Sequence, residues 1–512
     1  MRRPISALAA TTLVTALVAT GTIGGLAGTA FSASADDARG KATNVIYLVG
    51  DGMGRTHVTA ARERFYGADG KLAMEALPAQ GHVSTYAVEK LSGQPGTADF
   101  RPNPVTDSAS AATAWSSGVK TYNAALGVDA KGAVVPTVME LAKKAGYRTG
   151  NVSTAEITDA TPAGQMSHAL ARGCQGPVYS EASCQDIAVT GAALPTSDTR
   201  VTPIADQIAR NGTADVILGG GLGRFDAADE EALKAQGYSV LGSIASQKAA
   251  TKTDLASATG QKVFGLFNTG NLTSEKAKQE NPSSAQAQEP TLPEMTSKAI
   301  ELLSQKNVQG ETKKTGEKYG KGGKGFYLQV EGALIDKRSH ANDAAQTLEE
   351  IKAFDDAVAV AQDFADREGN TMVIVTADHE CAGFNIIEKG SFTNAEAGTP
   401  PTNIDKGNAA NNSEPSRPSN SLDADRSTGI VNGAGSADPG NFGPATFRTP
   451  TDPAGVVDGS PEAGLWLSYL SGNHTGADVP VYASGPGSEQ LQGTTDNIAL
   501  FGIVGRALRV VG

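Results

Sequence analysis

Continuous apolar runs alternate with amphipathic stretches along most of this chain. Asn44–Val49 and Thr371–Thr376 are mostly apolar, as is typical of strands buried on both faces, and Arg148–Ser153 and Gly325–Val330 are also predicted as strands. The long charged segment Thr347–Glu368 is predicted as a helix. Repeated strand-then-helix units predict an α/β fold: a large, mainly parallel central sheet, helices on both faces, and an active site at the carboxyl ends of the strands.

Proline, glycine and capping residues mark the bounds of further elements. Pro136–Gly146 has proline at its first helical position and glycine just past its end, which predicts a helix. The other predicted helices are Pro203–Asn211, Leu292–Asn307 and a segment from Thr495, and the other predicted strands are Gln80–Ala87, Asp215–Leu218 and Pro480–Ala483.

The chain begins with a stretch typical of a secretory signal. A basic start precedes the apolar stretch Ile5–Phe31, and Ala33-Ser-Ala35 has the form of a cleavage site. The sequence therefore predicts a signal peptide at residues 1–35 and a single α/β domain at residues 36–512.

Two stretches of that domain lack the pattern of buried elements. Residues 309–324 are rich in lysine and glycine and are predicted as an extra surface loop. Residues 395–462 are dominated by Gly, Pro, Asn, Ser, Thr and Asp, which predicts an irregular insertion and not a second core.

Composition narrows the class of protein. The 512 residues are 39% hydrophobic, which suffices for a large core, and the formal net charge is −12. Such acidity disfavours nucleic acid as a specific partner. Beyond the N-terminal stretch, no apolar run in the sequence approaches membrane-spanning length. The mature chain is therefore expected to be secreted, extracellular or in the cell envelope, without a membrane anchor.

Acidic side chains stand at the ends of three predicted strands. Asp51, Glu331 and Asp378 each follow an apolar run. Because the carboxyl ends of parallel strands meet at one edge of a sheet, these residues are expected to lie close together. Carboxylate oxygens are ligands for zinc and, with water, for magnesium.

Three of the six histidines stand in contexts that suit metal binding. Asp336 and His340 are four residues apart, so a helical turn would present both on one face. His379 follows a predicted strand, and His474 lies in a loop that could complete a ligand set. The remaining histidines, His57, His82 and His168, are interpreted as structural.

The stretch Val105–Lys120 contains a candidate nucleophile. Asp107 is a good N-cap ahead of an Ala-rich run. Ser108 would then occupy the first helical position, where free backbone N–H groups favour an anion such as a phosphoryl group. Taken alone, this pattern is more typical of an ordinary capped helix, and the metal ligands decide in favour of a nucleophile. Ser110 would face away from Ser108.

The three cysteines receive different interpretations. Cys174 and Cys184 close a short loop, and an oxidising compartment permits a disulfide between them. Cys381 is interpreted as a small buried residue beside the site and not as a nucleophile, and competition of its thiolate for zinc stays an open alternative.

Seven separated motifs resemble those of the bacterial alkaline phosphatases, and they occur in the family's order. The motifs are Gly50–Gly54, Asp107–Trp115, Asp159–Thr161 with Arg172, Val330–Gly332, Asp336–His340, Thr376–His379 and His474–Gly476. The similarity covers most of the predicted mature length. Asp159 and Lys337, which are histidine in some branches of the family, resemble the enteric bacterial type.

The resemblance implies two zinc ions and one magnesium ion per chain. The implied ligands are Asp336, His340 and His474 for the first zinc, Asp51, Asp378 and His379 for the second zinc, and Asp51, Thr161 and Glu331 for magnesium. The second zinc would lie next to the Ser108 oxygen, and Asp51 would bridge it to magnesium.

The resemblance also implies an activity. Ser108 would form a phosphoserine, Arg172 would bind two phosphate oxygens, and Asp159 and Lys337 would shape the phosphate and its waters. The implied substrates are small phosphate monoesters of broad range, with release of inorganic phosphate for phosphate scavenging. A Cys174–Cys184 bridge and a homodimer are implied as well.

Two alternatives stay open at this point. A related two-metal enzyme, such as a phosphodiesterase, would share the metal ligands, although such enzymes usually carry a threonine nucleophile and Arg172 fits a terminal phosphoryl group better. A catalytically inactive secreted protein that binds metal or phosphate would also keep part of the pattern.

Overall fold

The computed structural model of the chain describes residues 42–305, 324–390, 445–470 and 472–511. The predicted signal peptide lies outside the described residues. So do the predicted loop at residues 309–324, apart from Lys324, and residues 395–444 of the predicted insertion.

Seventeen strands occur in the described part of the chain. They are β1 (Asn44–Gly50), β2 (Ala79–Ser84), β3 (Ala87–Val88), β4 (Pro102–Asn103), β5 (Arg148–Glu156), β6 (Val216–Gly220), β7 (Ser239–Leu241), β8 (Val263–Leu266), β9 (Phe326–Gly332), β10 (Thr371–Thr376), β11 (Glu380–Cys381), β12 (Asn385–Ile386), β13 (Ala445–Phe447), β14 (Leu465–Ser468), β15 (His474–Thr475), β16 (Val479–Ser484) and β17 (Gly493–Asp496).

Ten of these strands form the main sheet, in the order β17-β2-β16-β10-β1-β9-β5-β6-β8-β7. Neighbouring strands are parallel throughout, except that β16 runs antiparallel to β2 and to β10. The central strands β1, β9 and β10 are buried along their whole length, which agrees with their continuous apolar sequence. The predicted mainly parallel α/β fold is confirmed.

Thirteen α-helices lie in the same described ranges. They are α1 (Arg55–Tyr66), α2 (Ser108–Ser117), α3 (Val138–Lys144), α4 (Ala160–Met166), α5 (Glu181–Cys184), α6 (Ile204–Asn211), α7 (Ala227–Ala235), α8 (Lys252–Ser257), α9 (Glu275–Glu280), α10 (Leu292–Ser304), α11 (Leu334–His340), α12 (Ala344–Glu368) and α13 (Asn497–Ala507). In these ranges, no helix has the length and apolar character needed to cross a membrane.

Helices cover both faces of the sheet, as the side chains of β9 show. Successive residues of a strand point to opposite faces. Gln329 accepts a hydrogen bond from Trp115 of α2 and another from Gln165 of α4. On the opposite face, the side chains of Leu328 and of Leu303 in α10 both lie next to Gly150 of β5. Helices α2 and α4 therefore share one face, and α10 packs on the other.

Some predicted bounds differ from the structure because capping interactions set them. Helix α3 begins at Val138 because Thr137 caps it, with the Thr137 hydroxyl accepting from the N–H of Glu140 at 3.2 Å. Pro136 therefore precedes the cap and does not occupy the first helical position. The strand predicted over Gln80–Ala87 is divided into β2 and β3.

The end of the predicted insertion contains a strand. β13 (Ala445–Phe447) pairs with β14, which also pairs with β12, in a separate three-stranded sheet. All three residues of β13 are buried. Residues 445–447 thus depart from the predicted irregular structure, because a three-residue edge strand is too short to show an alternating pattern in sequence.

Candidate active site

Three buried carboxylates lie at the carboxyl ends of neighbouring strands. Asp51 and Asp378 follow β1 and β10, and Glu331 lies near the end of β9. Val49 of β1 is aligned with Glu331 on one side and with Thr376 of β10 on the other. The parallel register therefore brings the three acids to one edge of the sheet.

Helix α2 presents its first residue, Ser108, to this edge. The Asp107 carboxylate caps the helix by accepting from the N–H of Ser110 at 2.9 Å. The Ser108 hydroxyl oxygen lies 3.2 Å from Nε2 of His379. A helix N-terminus has free N–H groups and a positive dipole end, so an anion on the Ser108 oxygen would be stabilised there.

Ser110 has a different environment from Ser108. Its hydroxyl lies 2.7 Å from the Thr106 hydroxyl, 2.9 Å from Oδ1 of Asp107 and 2.8 Å from Oδ1 of Asn123. These bonds tie the start of α2 to the flanking loops. Ser110 therefore has a structural role in the cap.

Asp336, His340 and His474 form a group that we call cluster A. Asp336 and His340 lie on α11, with Asp336 Oδ2 3.2 Å from His340 Nε2. Oδ1 of Asp336 is 3.5 Å from Nε2 of His474, and the two Nε2 atoms are 3.1 Å apart. Burial alone would raise the pKa of Asp336, but the two histidines hold it well below its ordinary value.

Backbone carbonyls fix the orientation of both histidines in cluster A. Nδ1 of His340 lies 2.6 Å from the carbonyl of Gly472, and Nδ1 of His474 lies 3.0 Å from the carbonyl of Thr106. A carbonyl only accepts, so Nδ1 of each ring carries a proton and each Nε2 faces the cluster. A carboxylate and two imidazole nitrogens that face one another form a donor set that suits a zinc ion.

Asp51, Asp378 and His379 form cluster B, next to Ser108. Nε2 of His379 is 3.1 Å from Asp378 Oδ2 and 3.6 Å from Asp51 Oδ1. The other Asp378 oxygen accepts from the N–H of Gly52 at 3.0 Å. Burial raises the pKa of Asp51 well above its ordinary value, and the neighbouring acids Asp378 and Asp336 raise it further.

The two clusters adjoin. The rings of His379 and His474 are stacked with their centroids 3.5 Å apart. Ligand atoms of Asp51, Asp336 and His379 also lie within 4.8 Å of one another. Two cations held by these groups would therefore be close neighbours.

We call Asp51, Thr161 and Glu331 cluster C: Glu331 neighbours both of the others, and the donor atoms are all oxygens. The Ser153 hydroxyl donates to Glu331, and Thr161 lies in the first turn of α4. Burial raises the pKa of Glu331 to about 8. Within the described part of the chain, the Thr161 hydroxyl is buried without a hydrogen-bond partner. An oxygen set of this kind suits a hard cation such as magnesium.

Four buried oxygens show that these clusters fit metal ions. In the described ranges, Oδ1 of Asp51, Oδ1 of Asp336, Oδ2 of Asp378 and the Thr161 hydroxyl have no hydrogen-bond partner. An unsatisfied buried acceptor is costly, more so when it is charged. Bound cations would satisfy all four at once.

Arg172 lies beside Asp107, the residue before Ser108, in a network of acids. Its guanidinium donates to Asp107 at 3.2 Å and to Asp159 at 2.7 Å, and Lys337 donates to the other Asp159 oxygen at 2.8 Å. Although burial opposes it, Lys337 and Arg172 hold the pKa of Asp159 well below its ordinary range. The planar guanidinium matches two oxygens of a tetrahedral anion. The contact between Asp107 and Arg172 was not predicted from the sequence.

The remaining cysteines and histidines are placed as follows. Cys174, which is two residues beyond Arg172, forms a disulfide with Cys184, and this confirms the predicted bridge. His168 lies between the Gly127 carbonyl and Glu140, and His57 contacts the Ser339 hydroxyl. His82 contacts Arg55.

Cys381 lies among the residues of cluster A, and it is buried there, as the sequence predicted. Ligand atoms of Asp336, His340, His474 and Cys381 all lie within 4.8 Å of one another. The only indication in the sequence was that Cys381 stands two residues beyond His379.

Known proteins resemble this chain over most of its length. The alkaline phosphatase family model matches residues 42–414. An alkaline phosphatase of Escherichia coli (strain K12) is 40% identical over 369 residues, 66% of this chain and 70% of that protein. Streptomycin-6-phosphate phosphatase of Streptomyces griseus is 34% identical over 496 residues, 91% of this chain and 90% of that protein.

A solved structure gives the same result. It is a mutant alkaline phosphatase of the Antarctic bacterium TAB5 with Mg bound in the M3 site. Its TM-score is 0.58 at 25% identity, and the match covers 92% of this chain and 99% of that one.

A buried serine and clustered metal-ligating side chains at the strand ends of a parallel sheet define a metal-binding hydrolase. Within that class, the family match and the relatives leave one assignment: the chain belongs to the alkaline phosphatase family, and it is a phosphatase. The resemblance seen in the sequence is confirmed.

Proposed function

We propose that this phosphatase is a secreted, metal-dependent phosphomonoesterase that works through a phosphoserine on Ser108 and releases inorganic phosphate. The observation that supports it most is the position of the Ser108 oxygen at a helix N-terminus, 3.2 Å from His379 of cluster B. A p-nitrophenyl phosphate assay at alkaline pH tests the activity. If the protein holds its full set of metal ions and still does not hydrolyse p-nitrophenyl phosphate, the proposed activity is contradicted.

Each cluster would hold one ion. Clusters A and B, with carboxylate and imidazole donors, suit zinc, and cluster C, with oxygen donors only, suits magnesium. Asp51 belongs to both B and C and would bridge two ions. When bound, these ions supply positive charge that offsets the negative charge on the phosphoryl group and on the attacking and leaving oxygens.

The chain's own residues define the order of bond changes. The Ser108 oxygen attacks phosphorus as its O–H bond breaks, the bond from phosphorus to the alcohol oxygen breaks, and that oxygen takes up a proton from solvent in place of the one that Ser108 releases. Arg172 binds two phosphoryl oxygens and holds the group in line with Ser108. Water then attacks phosphorus and releases phosphate from Ser108. Two in-line displacements predict net retention of configuration at phosphorus.

Arg172 favours a monoester over a diester. Its two terminal nitrogens are oriented by Asp107 and Asp159, so the guanidinium can bind two free oxygens of a terminal phosphoryl group. A diester has only two free oxygens, so binding both to Arg172 would leave none for cations in the clusters, whereas a monoester leaves a third. Comparison of p-nitrophenyl phosphate with bis-p-nitrophenyl phosphate separates the two activities, and faster turnover of the diester would contradict the monoesterase.

Arg172→Lys is expected to lower kcat/KM by about 10–100-fold, since lysine cannot make the bidentate contact and a charged hydrogen bond contributes about 1.5–3 kcal/mol. Inhibition by inorganic phosphate should weaken in parallel. Steady-state kinetics with p-nitrophenyl phosphate measure both effects. Arg200→Lys is the matched control, because Arg200 pairs with Asp198 outside the site, and it should behave like wild type. Equal kinetics in both variants would exclude the role of Arg172.

Secretion is proposed from the N-terminal sequence alone. The basic start, the apolar stretch and Ala33-Ser-Ala35 are typical of an exported precursor. Expression of the full chain in a bacterial host should yield exported protein whose N-terminus, read by mass spectrometry, begins near Asp36. A product that stays in the cytoplasm with residues 1–35 intact would contradict this.

A further inference from the structure

Cys381 is held beside a residue of cluster A by a short β-ladder. Strand β11 pairs antiparallel with β15, and Cys381 is directly opposite His474. Directly opposed residues of an antiparallel pair place their side chains on the same face. The N–H of Cys381 also donates to the Gly52 carbonyl at 3.0 Å. The thiol and the His474 imidazole therefore face the same side of a fixed backbone.

That side is cluster A. Sγ of Cys381 lies within 4.8 Å of ligand atoms of Asp336, His340 and His474, and the residue is fully buried. A hypothetical Cβ at Gly52 would be 2.8 Å from both Asp336 Oδ1 and the Cys381 Cβ. The close approach of the Gly52 turn thus keeps the cysteine against Asp336.

A second observation indicates a ligand at this position. Oδ1 of Asp336 is 3.5 Å from His474 Nε2, and in the described chain it is buried without a hydrogen-bond partner. Nε2 of His340 and Nε2 of His474 lie 3.1 Å apart beside it. The nearest acceptor recorded for the thiol, the backbone carbonyl of Asp336, is 3.8 Å from Sγ, a weak contact.

We propose that Sγ of Cys381 is a fourth protein ligand of the metal ion in cluster A. This proposal rests on the proposed function, because that function requires a metal ion in cluster A. The sulfur–metal bond forms as the S–H bond breaks, and the proton passes to solvent. Asp336 and the thiolate together balance the charge of a divalent cation. Thiolate is a soft donor, so the site should favour zinc over harder ions. A water or substrate oxygen would enter by expansion to five ligands, which zinc permits.

Cobalt(II) provides the test, because a thiolate bound to cobalt gives a near-ultraviolet charge-transfer band that nitrogen and oxygen ligands do not give. The purified chain is stripped of metal, reloaded with Co²⁺ and measured by absorption spectroscopy. Cys174 and Cys184 are joined in a disulfide, so any thiolate band must come from Cys381. Zinc-edge absorption spectroscopy of the zinc form should independently show sulfur at about 2.3 Å.

Cys381→Ser is the matched variant, since serine keeps the size and the hydrogen-bond donor but removes the sulfur. It should bind Co²⁺ with visible ligand-field bands and lack the charge-transfer band. If the wild-type protein with Co²⁺ bound shows only ligand-field bands, and zinc-edge spectra of the zinc form show no sulfur neighbour, then the thiol is not a ligand. Failure to bind Co²⁺ or zinc at all would overturn the metal sites of the proposed function as well. If the serine variant does not fold, the wild-type sulfur measurement alone decides.

Discussion

Ser108→Ala is expected to lower kcat toward p-nitrophenyl phosphate by at least about 10³-fold, because the covalent route is lost when the nucleophile is removed. The Ser108 oxygen is the one placed against cluster B, 3.2 Å from His379. The neighbouring Ser110 hydroxyl is fully engaged by Thr106, Asp107 and Asn123 and cannot take its place. Steady-state kinetics measure the loss, and mass spectrometry of acid-quenched wild type should locate phosphate on Ser108.

Ser117→Ala is the control for this variant. Ser117 is the last residue of the same helix, and its hydroxyl bonds only within the helix region, to the Thr113 carbonyl at 2.6 Å. Its replacement should leave kcat near the wild-type value. Ser110→Ala should destabilise the cap but keep most of the activity. Near-complete activity in Ser108→Ala would refute the phosphoserine route.

Metal removal is expected to reduce both activity and stability. The described chain buries the carboxylates of Asp51, Glu331, Asp336 and Asp378 in adjoining clusters. Without cations, these acids repel one another and leave oxygens unsatisfied. Chelation should therefore lower kcat by at least about 10²-fold, since each ion supplies several kcal/mol of transition-state stabilisation. It should also lower the melting temperature, because ions that bind only the folded state stabilise it.

Zinc together with magnesium should restore both properties in wild type. In Ser108→Ala, the same addition should raise the melting temperature but not the activity, because Asp51, Asp378 and His379 still offer their ligand atoms. This variant separates ion binding from catalysis. Metal analysis by mass spectrometry accompanies each sample, and a fully active chain shown to hold no zinc would exclude metal dependence.

Much of the fold could be predicted because the central strands are buried on both faces. Continuous apolar runs predicted β1, β9 and β10, and the parallel arrangement then brought Asp51, Glu331 and Asp378 to one edge. The spacing of Asp336 and His340 similarly required only one turn of α11. These inferences depend on local periodicity, which a sequence displays directly.

Other features depend on contacts between distant segments and were not visible in sequence. The proton positions of His340 and His474 are set by the carbonyls of Gly472 and Thr106. The approach of Cys381 to cluster A follows from a two-residue ladder with His474, which is too short to have a recognisable pattern. The strand Ala445–Phe447 was missed for the same reason.

The ladder of β11 with β15 has a consequence for how relatives of this chain can diverge. It holds Cys381 beside His474, so the segment between these two residues begins and ends at neighbouring positions in the structure. Closing a longer excursion costs only about 0.6 kcal/mol for each doubling of its length. Because the span also contains the paired strands β12, β13 and β14, this small cost applies to the part of it between β12 and β13, whose length can change with little thermodynamic penalty. It is also a suitable place to graft a foreign domain without moving the histidine.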